Sequence, residues 1–371
     1  MYPNCFDENI KSHAISRSIS LQSIAEEFHV KAFVPRQNSK TTKEPMFQSV
    51  SINRATREHC FCDKHDNFFE SLDNREIQSA KDVLLQVYRS LCVAMNEEKK
   101  AAKNLMGLND LGSYKNIGEE AAIRFLSDNG HECLIQHIKD PEVLAIVQKK
   151  MMFLASENID KEAFEIESLA MKIKSCYDSI DECLLIGVNK PLVMHYELVE
   201  YSIICYKVDF QIPVALNSIQ HGVFGMKKTR VYSMVIPYAT STVVIGLFPN
   251  VLLNSVDGLV DRIDDYFSSS YKIIKYIESV MSTADGWYIK PSIIDTMPKE
   301  KAEFFSTDCM FLNERKLLQD YDLSIFDELK MAHCGLKCDN PELVSIPTRP
   351  DYDIRYQEML QVMGIAAQSK V

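Results

Sequence analysis

Residues 231–253 limit the architectures open to this chain more than any other stretch. They form its longest apolar run, yet Pro237, the step Ala239-Thr240-Ser241-Thr242 and the pair Pro249-Asn250 interrupt it, while Val235-Ile236 and Val243-Val244-Ile245 are β-branched. A membrane-crossing helix needs about 20 unbroken apolar residues, so the run predicts two buried strands around a turn. The neighbouring segments 196–208, 211–216, 230–237 and 242–248 share this β-branched and aromatic texture, with no helix-length insert between them. Strands joined so closely pair antiparallel.

Upstream, the apolar spacing changes to threes and fours. Val83, Leu84, Val87, Leu91 and Met95 predict a helix capped by Asp73 or Asn74, and further helices are expected over 119–126, 141–156 and 161–184. Asp140-Pro141 is a start signal, because Asp caps a helix and Pro suits its first turn. Helices return over 258–281, 299–305 and 313–336, and a last helical stretch is expected at 356–367. In the first 57 residues a short helix over 18–28 and strands at 30–34 and 47–52 are expected. The fold class predicted is α+β: a zinc-module-like N-terminal segment, a helical middle and an antiparallel sheet flanked by helices. The expected divisions are 1–75, 76–184, 185–340 and a C-terminal extension, 341–371.

The chain has 371 residues and a formal net charge of −11. That balance argues against a broad nucleic-acid surface, which draws its affinity from clustered Lys and Arg. Eleven cysteines, an odd and unevenly spaced set, and a start at Met1-Tyr2-Pro3-Asn4 without an apolar leader point to a reducing, cytoplasmic setting and to no membrane association.

Reactive chemistry concentrates in His59-Cys60-Phe61-Cys62-Asp63-Lys64-His65-Asp66. Cys62 and His65 have the knuckle spacing at which one zinc ion takes both side chains, and a closed tetrahedral site needs two more ligands. Cys5 and His13 are the nearest suppliers, with Cys60 and His59 as alternates. The expected cofactor is therefore a structural zinc ion. A competing reading leaves Cys60 and Cys62 as buried thiols and His65 as a cap. Another makes His65-Asp66 the metal dyad of a phosphohydrolase, although the surrounding Asp-Lys-His-Asp-Asn is polar where such a dyad usually sits in an apolar helix.

Ser12-His13-Ala14 beside this frame is similar to the catalytic segment of ββα-metal (HNH) nucleases. There a His acts as general base on the attacking water, and a second divalent metal stabilises the leaving oxygen. The chain departs from that pattern in lacking a paired C-x-x-C and a following Asn-x-x-His helix, so His13 reads equally as base or as ligand. His333-Cys334-Gly335-Leu336-Lys337-Cys338 reads as a Gly-terminated helix end with two thiols. The loop within 221–230 reads as a solvated hairpin, and Asp257, Asp261, Asp264 and Asp265 as a solvated helix face. Gly-x-Ser-x-Gly, GxGxxG after a strand and HExxH are absent.

The order Cys5, Ser12-His13-Ala14-Ile15-Ser16, Phe61-Cys62-Asp63-Lys64-His65-Asp66, Val235-Ile236-Pro237 and Trp287-Tyr288-Ile289-Lys290-Pro291 resembles an uncharacterised group of bacterial proteins with a zinc-binding N-terminal part. That resemblance implies phage-defence or mobile-element loci. Two functions follow as expectations: a zinc-supported effector acting on nucleic acid through His13, or a non-catalytic sensor that binds a protein partner. A third reading is a hydrolase site assembled from His131, His137 or His195 with distant carboxylates.

Overall fold

The computed structural model describes residues 7–34, 47–180, 184–224, 227–253, 259–310 and 318–348. They form an α+β structure around one eight-stranded sheet. Its strands are β2 (His29–Phe33), β3 (Phe47–Ser51), β5 (Pro191–Met194), β6 (Tyr201–Val208), β7 (Val214–Phe224), β8 (Lys227–Pro237), β9 (Thr242–Pro249) and β10 (Trp287–Ile289). Their order is β3-β2-β10-β7-β8-β9-β6-β5, with every pairing antiparallel. A separate two-stranded ladder joins β1 (Ile10–His13) to β4 (Arg57–Phe61).

The apolar run at 231–253 forms β8 and β9, and Tyr238 N–H donates to the Ser241 carbonyl at 2.8 Å to close the turn. Alternation assigns the two faces. Val231 and Val235 on β8, Val244 and Phe248 on β9, and Ile204, Tyr206 and Val208 on β6 pack into one core with the helices that follow. The alternate set, Tyr232, Met234, Ile236, Val243, Ile245 and Leu247, is also buried, so the sheet is covered on both sides. Burial on both faces explains why these strands read as continuous apolar runs.

The long helices are α1 (Ala80–Asp110), α2 (Glu119–Asp128), α3 (Pro141–Ser179), α4 (Leu259–Tyr266), α5 (Ser270–Met281), α6 (Lys299–Met310) and α7 (Asp327–Cys334). The helix expected from Asp73 or Asn74 begins later, at Ala80. Ser79 N–H donates to Asp82 Oδ2 (3.1 Å) and Asp82 N–H to Ser79 Oγ (3.2 Å), a reciprocal box that satisfies donors at the helix start. The segments expected at 141–156 and 161–184 are one helix, α3, and Asp140 Oδ1 does accept from Glu142 N–H at 2.8 Å. The stretch 258–281 divides into α4 and α5 at Phe267-Ser268-Ser269. Within the described part of 313–336, the helix is confined to α7. The expected helix at 356–367 lies outside the described residues.

The N-terminal segment departs most from expectation. In place of a helix over 18–28 there is one π turn, Arg17–Leu21, and a single turn, Gln22–Ile24, ended by extended Ala25. Glu27 and Phe28 then take positive φ, and Phe28 faces solvent instead of completing an apolar helix face. The strands expected near 30–34 and 47–52 form as β2 and β3. They extend the main sheet through the Ile289–Lys31 pair, between the halves of the small ladder.

The chain divides into two compact units, Met1–Val93 with Leu169–Thr348, and Ala94–Ser168. The first holds every described strand. In the second, Ala122, Leu126, Ile138 and Val147 form a small core. Ser156 Oγ donates to the Ala102 carbonyl (3.1 Å), and Lys99 pairs with Glu167 (2.8 Å). Among the described residues, no helix is long and apolar enough to cross a membrane.

Candidate functional site

The β1–β4 ladder positions the residues singled out at the N-terminus. Ile10 pairs with Phe61, Ser12 with Glu58 and His13 with Arg57. Immediately after β4 the chain turns into a one-turn helix, Asp63–Asp66, for which Cys62 is the extended residue ahead of the first turn. His65 and Asp66 N–H both donate to the Cys62 carbonyl (3.0 and 2.9 Å), which folds the side chain of residue 65 back over residue 62. Cys62 Sγ and His65 Nδ1 end 3.2 Å apart. Asp66 Oδ1, in the same turn, is buried without a hydrogen-bond partner.

The ladder separates His13 from this pair. Its register puts His13 opposite Arg57, five residues before Cys62, and a strand rises about 3.3 Å per residue. The His13 ring also points toward the far end: Nδ1 lies 2.9 Å from the Ala55 carbonyl and 3.5 Å from Thr56 Oγ1. Burial lowers the His13 pKa, and the nearby Arg89 and Arg17 lower it further against the opposing effects of the Ala55 carbonyl and Asp73. A neutral ring with Nδ1–H donated to a carbonyl keeps its basic lone pair on Nε2.

The remaining ligand candidates divide between core and surface. Cys60 is fully buried, and desolvation raises its thiol pKa well above the ordinary value, with Cys92 adding to the effect. Such a thiol stays protonated and packs as a small apolar group. His59 is exposed on β4, and Cys5 lies outside the described residues. Among the described residues, no three His, Cys, Asp or Glu side chains are gathered as metal ligands.

Sequence patterning passed over the residue that anchors this region, Arg89. It sits within the apolar run of α1, and its side chain is 2% exposed. Its two terminal nitrogens grip Asp73 at 2.9 and 3.2 Å, its Cζ lies 5.2 Å from the Phe69 ring centre, and its Nε is buried without a partner. A lone Arg in an apolar stripe was the available signal, since a buried guanidinium requires a carboxylate. Asp73, expected as a helix cap, is that carboxylate.

Elsewhere, Ser202 Oγ bonds His195 Nδ1 (2.6 Å) and Asn250 Oδ1 (2.7 Å). Ser202 is fully buried on β6, so this pair braces the strand end and presents no hydroxyl to a substrate. His131 and His137 are exposed in the second unit. His333 stacks on Phe210 with centroids 4.0 Å apart, and Gly335 at φ +72° closes α7 ahead of exposed Cys338. Of the four aspartates, Asp261, Asp264 and Asp265 lie on the exposed side of α4, and Asp257 lies outside the described residues. Lys228 and Arg230 lie within the β7–β8 ladder, where they pair with Val223 and His221.

No protein-family model, curated protein or solved structure matches this chain. The chemistry of the residues is therefore the basis for any functional reading.

Proposed function

We propose that the chain is a non-catalytic sensor or interaction protein whose N-terminal segment is clipped in place by one structural zinc ion. Cys62 and His65 supply two ligands, and Cys5 supplies a third. The observation that carries this reading is the 3.2 Å approach of Cys62 Sγ to His65 Nδ1. Zinc bonds of about 2.3 Å to sulfur and 2.0 Å to nitrogen at a tetrahedral angle put the two ligand atoms about 3.5 Å apart. The pair therefore fits an ion after a shift of a few tenths of an ångström. The orphaned Asp66 oxygen in the same turn favours a nearby cation. The resemblance to a bacterial defence group makes infection the setting for the partner.

A binding role is favoured over action on nucleic acid by the net charge of −11, which argues against a broad phosphate-binding surface, while the ladder register removes His13 from the ligands of the Cys62–His65 pair. One specific observation supports the alternative, a metal-dependent nucleic-acid hydrolase: His13 is neutral and keeps Nε2 as its basic nitrogen, as a general base requires.

Elemental analysis of purified protein tests the main reading. We expect one zinc per chain, lost in both Cys62→Ser and His65→Ala while His13→Ala retains it. Protein isolated without metal would remove the clip. Nucleic-acid hydrolysis by the wild type, abolished in folded His13→Ala, would replace the binding role with the catalytic one.

A further inference from the structure

The connection between β3 and β4 gathers arginines against the balance of the rest of the chain, in which Asp and Glu outnumber Lys and Arg by 52 to 41. Arg17 Nη1 donates to Asn53 Oδ1 at 2.9 Å, and Arg57 Nη1 donates to the Asn53 carbonyl at 3.0 Å. One neutral residue thus spans two guanidinium groups, and each keeps further N–H donors for another acceptor. Among the described residues, no carboxylate pairs with Arg17 or Arg57. Exposed Arg54 directly follows Asn53.

The neighbouring acids are engaged or turned away. Arg89 already holds Asp73. Glu58 pairs with Ser12 across the ladder, so strand alternation puts it on the face opposite Arg57. Arg57 itself stands across from His13. Beyond the effect of burial, the charges of Arg89 and Arg17 lower the His13 pKa, which marks the field at this place as positive.

The backbone that presents Arg57 is strained. Thr56 has φ +56°, a left-handed conformation that β-branched residues rarely adopt. Its carbonyl accepts from Ala14 N–H at 2.9 Å, and the next residue, Arg57, donates its N–H to the Arg54 carbonyl at 3.3 Å. Strain of this kind persists only where the surroundings enforce it, and it gathers at ligand sites.

We infer that Arg17 and Arg57 form a binding site for one phosphoryl group, carried by a small phosphate monoester. Such a group has a charge of about −1.5 to −2 near neutral pH and three acceptor oxygens, which matches two guanidinium forks. A carboxylate would leave one of the two arginine charges uncompensated. A polyanion fits poorly, because its other phosphates would meet a chain of net charge −11. The site goes beyond the interaction role proposed above and does not depend on the zinc clip.

Isothermal titration calorimetry of the full chain in phosphate-free buffer tests it, with inorganic phosphate and adenosine monophosphate as probes and far-UV circular dichroism as the fold control. The wild type should bind at one saturable site, and Arg17→Ala and Arg57→Ala should each weaken binding about tenfold or more. If Arg57→Ala unfolds, Arg57→Lys keeps the charge and should still weaken binding, because an ammonium lacks the planar fork. Equal affinity for both probes would assign recognition to the phosphoryl group alone, and tighter binding of the monophosphate would assign the site to a mononucleotide. The inference is overturned if neither probe binds, or if affinity is unchanged in Arg17→Ala. Adenosine or acetate binding as tightly as the phosphates would overturn it too, as would displacement of phosphate by duplex DNA at lower concentration than by the monophosphate.

Discussion

His13 shows how far a single residue's environment decides its chemistry. Its neighbours in sequence, Ser12 and Ala14, read equally as the setting of a base or of a ligand. The choice of tautomer comes from Ala55, which lies 42 residues away and is brought close by the β1–β4 ladder. The lowered pKa has a thermodynamic consequence. The unfolded chain takes up a proton as pH falls through the ordinary histidine value of about 6.5, while the native ring resists it. The native state therefore loses stability below that pH, and the loss levels off once the native ring is protonated too. Replacing His13 with Gln should flatten this part of the stability profile, as read from urea midpoints between neutral and mildly acidic pH. An unchanged slope would mean that the ring is solvated. By contrast, the Cys62–His65 pair was legible in the sequence, because three residues on one helical turn already bring the two side chains together.

At the level of elements, strand character was more legible than helix boundaries. β8 and β9 could be read from apolar, β-branched runs because both their faces are buried. Short β10 was not, since three residues carry little pattern. It forms because Trp287 and Ile289 fill the main core and pair with Leu216 and Val214 of β7. Gly286, immediately before β10, has φ +76°, and a Cβ there would lie 2.6 Å from the Asn217 carbonyl oxygen. Gly286→Ala should cost about 1–3 kcal/mol, from positive-φ strain together with displacement of the β7 backbone. Chemical denaturation measures the cost, and a midpoint equal to wild type would show that the backbone at Gly286 relaxes freely. The helix start at Ala80 was missed for a related reason. Asp73 has the chemistry of a cap, but Arg89 engages its carboxylate, and Ser79 with Asp82 provides the cap instead.

At the level of the first unit, distant segments are tied together by a buried charge network. Lys330 Nζ donates to Glu278 Oε2, Ser324 Oγ and Glu342 Oε1 at 2.8, 2.9 and 2.8 Å. Glu278 Oε1 accepts from Ile325 and Phe326 N–H. Although burial works to raise the Glu342 pKa, hydrogen bonds from Lys330 and Tyr271 and the charges of Lys330 and Lys275 pull it down to about 2. A depressed carboxylate adds stability that is fully present above its ordinary value of 4.5 and disappears as pH falls to about 2. Glu342→Gln should therefore be less stable than wild type at neutral pH, with the difference shrinking across that window. Lys330→Met should cost about 3–5 kcal/mol, because it leaves Glu278 charged and buried. Thermal unfolding of the three proteins across the acid range checks both outcomes. A constant offset for Glu342→Gln would count against the proton linkage.

The sequence by itself determined the α+β class, the antiparallel strands at the centre of the sheet, the start of α3 at Asp140-Pro141 and the pairing of Cys62 with His65. All of these depend on periodicity or on contacts within a few residues, which a linear pattern encodes directly. The tertiary structure decided that β2 and β3 join the main sheet through β10, that His13 stands apart from Cys62 and His65, and that Asp73 serves Arg89. Each of these depends on strand register or on a buried charge finding its counterion across the fold. Such choices are made by the free energy of the assembled core, in which an unpaired guanidinium or an uncovered strand costs more than any local preference returns.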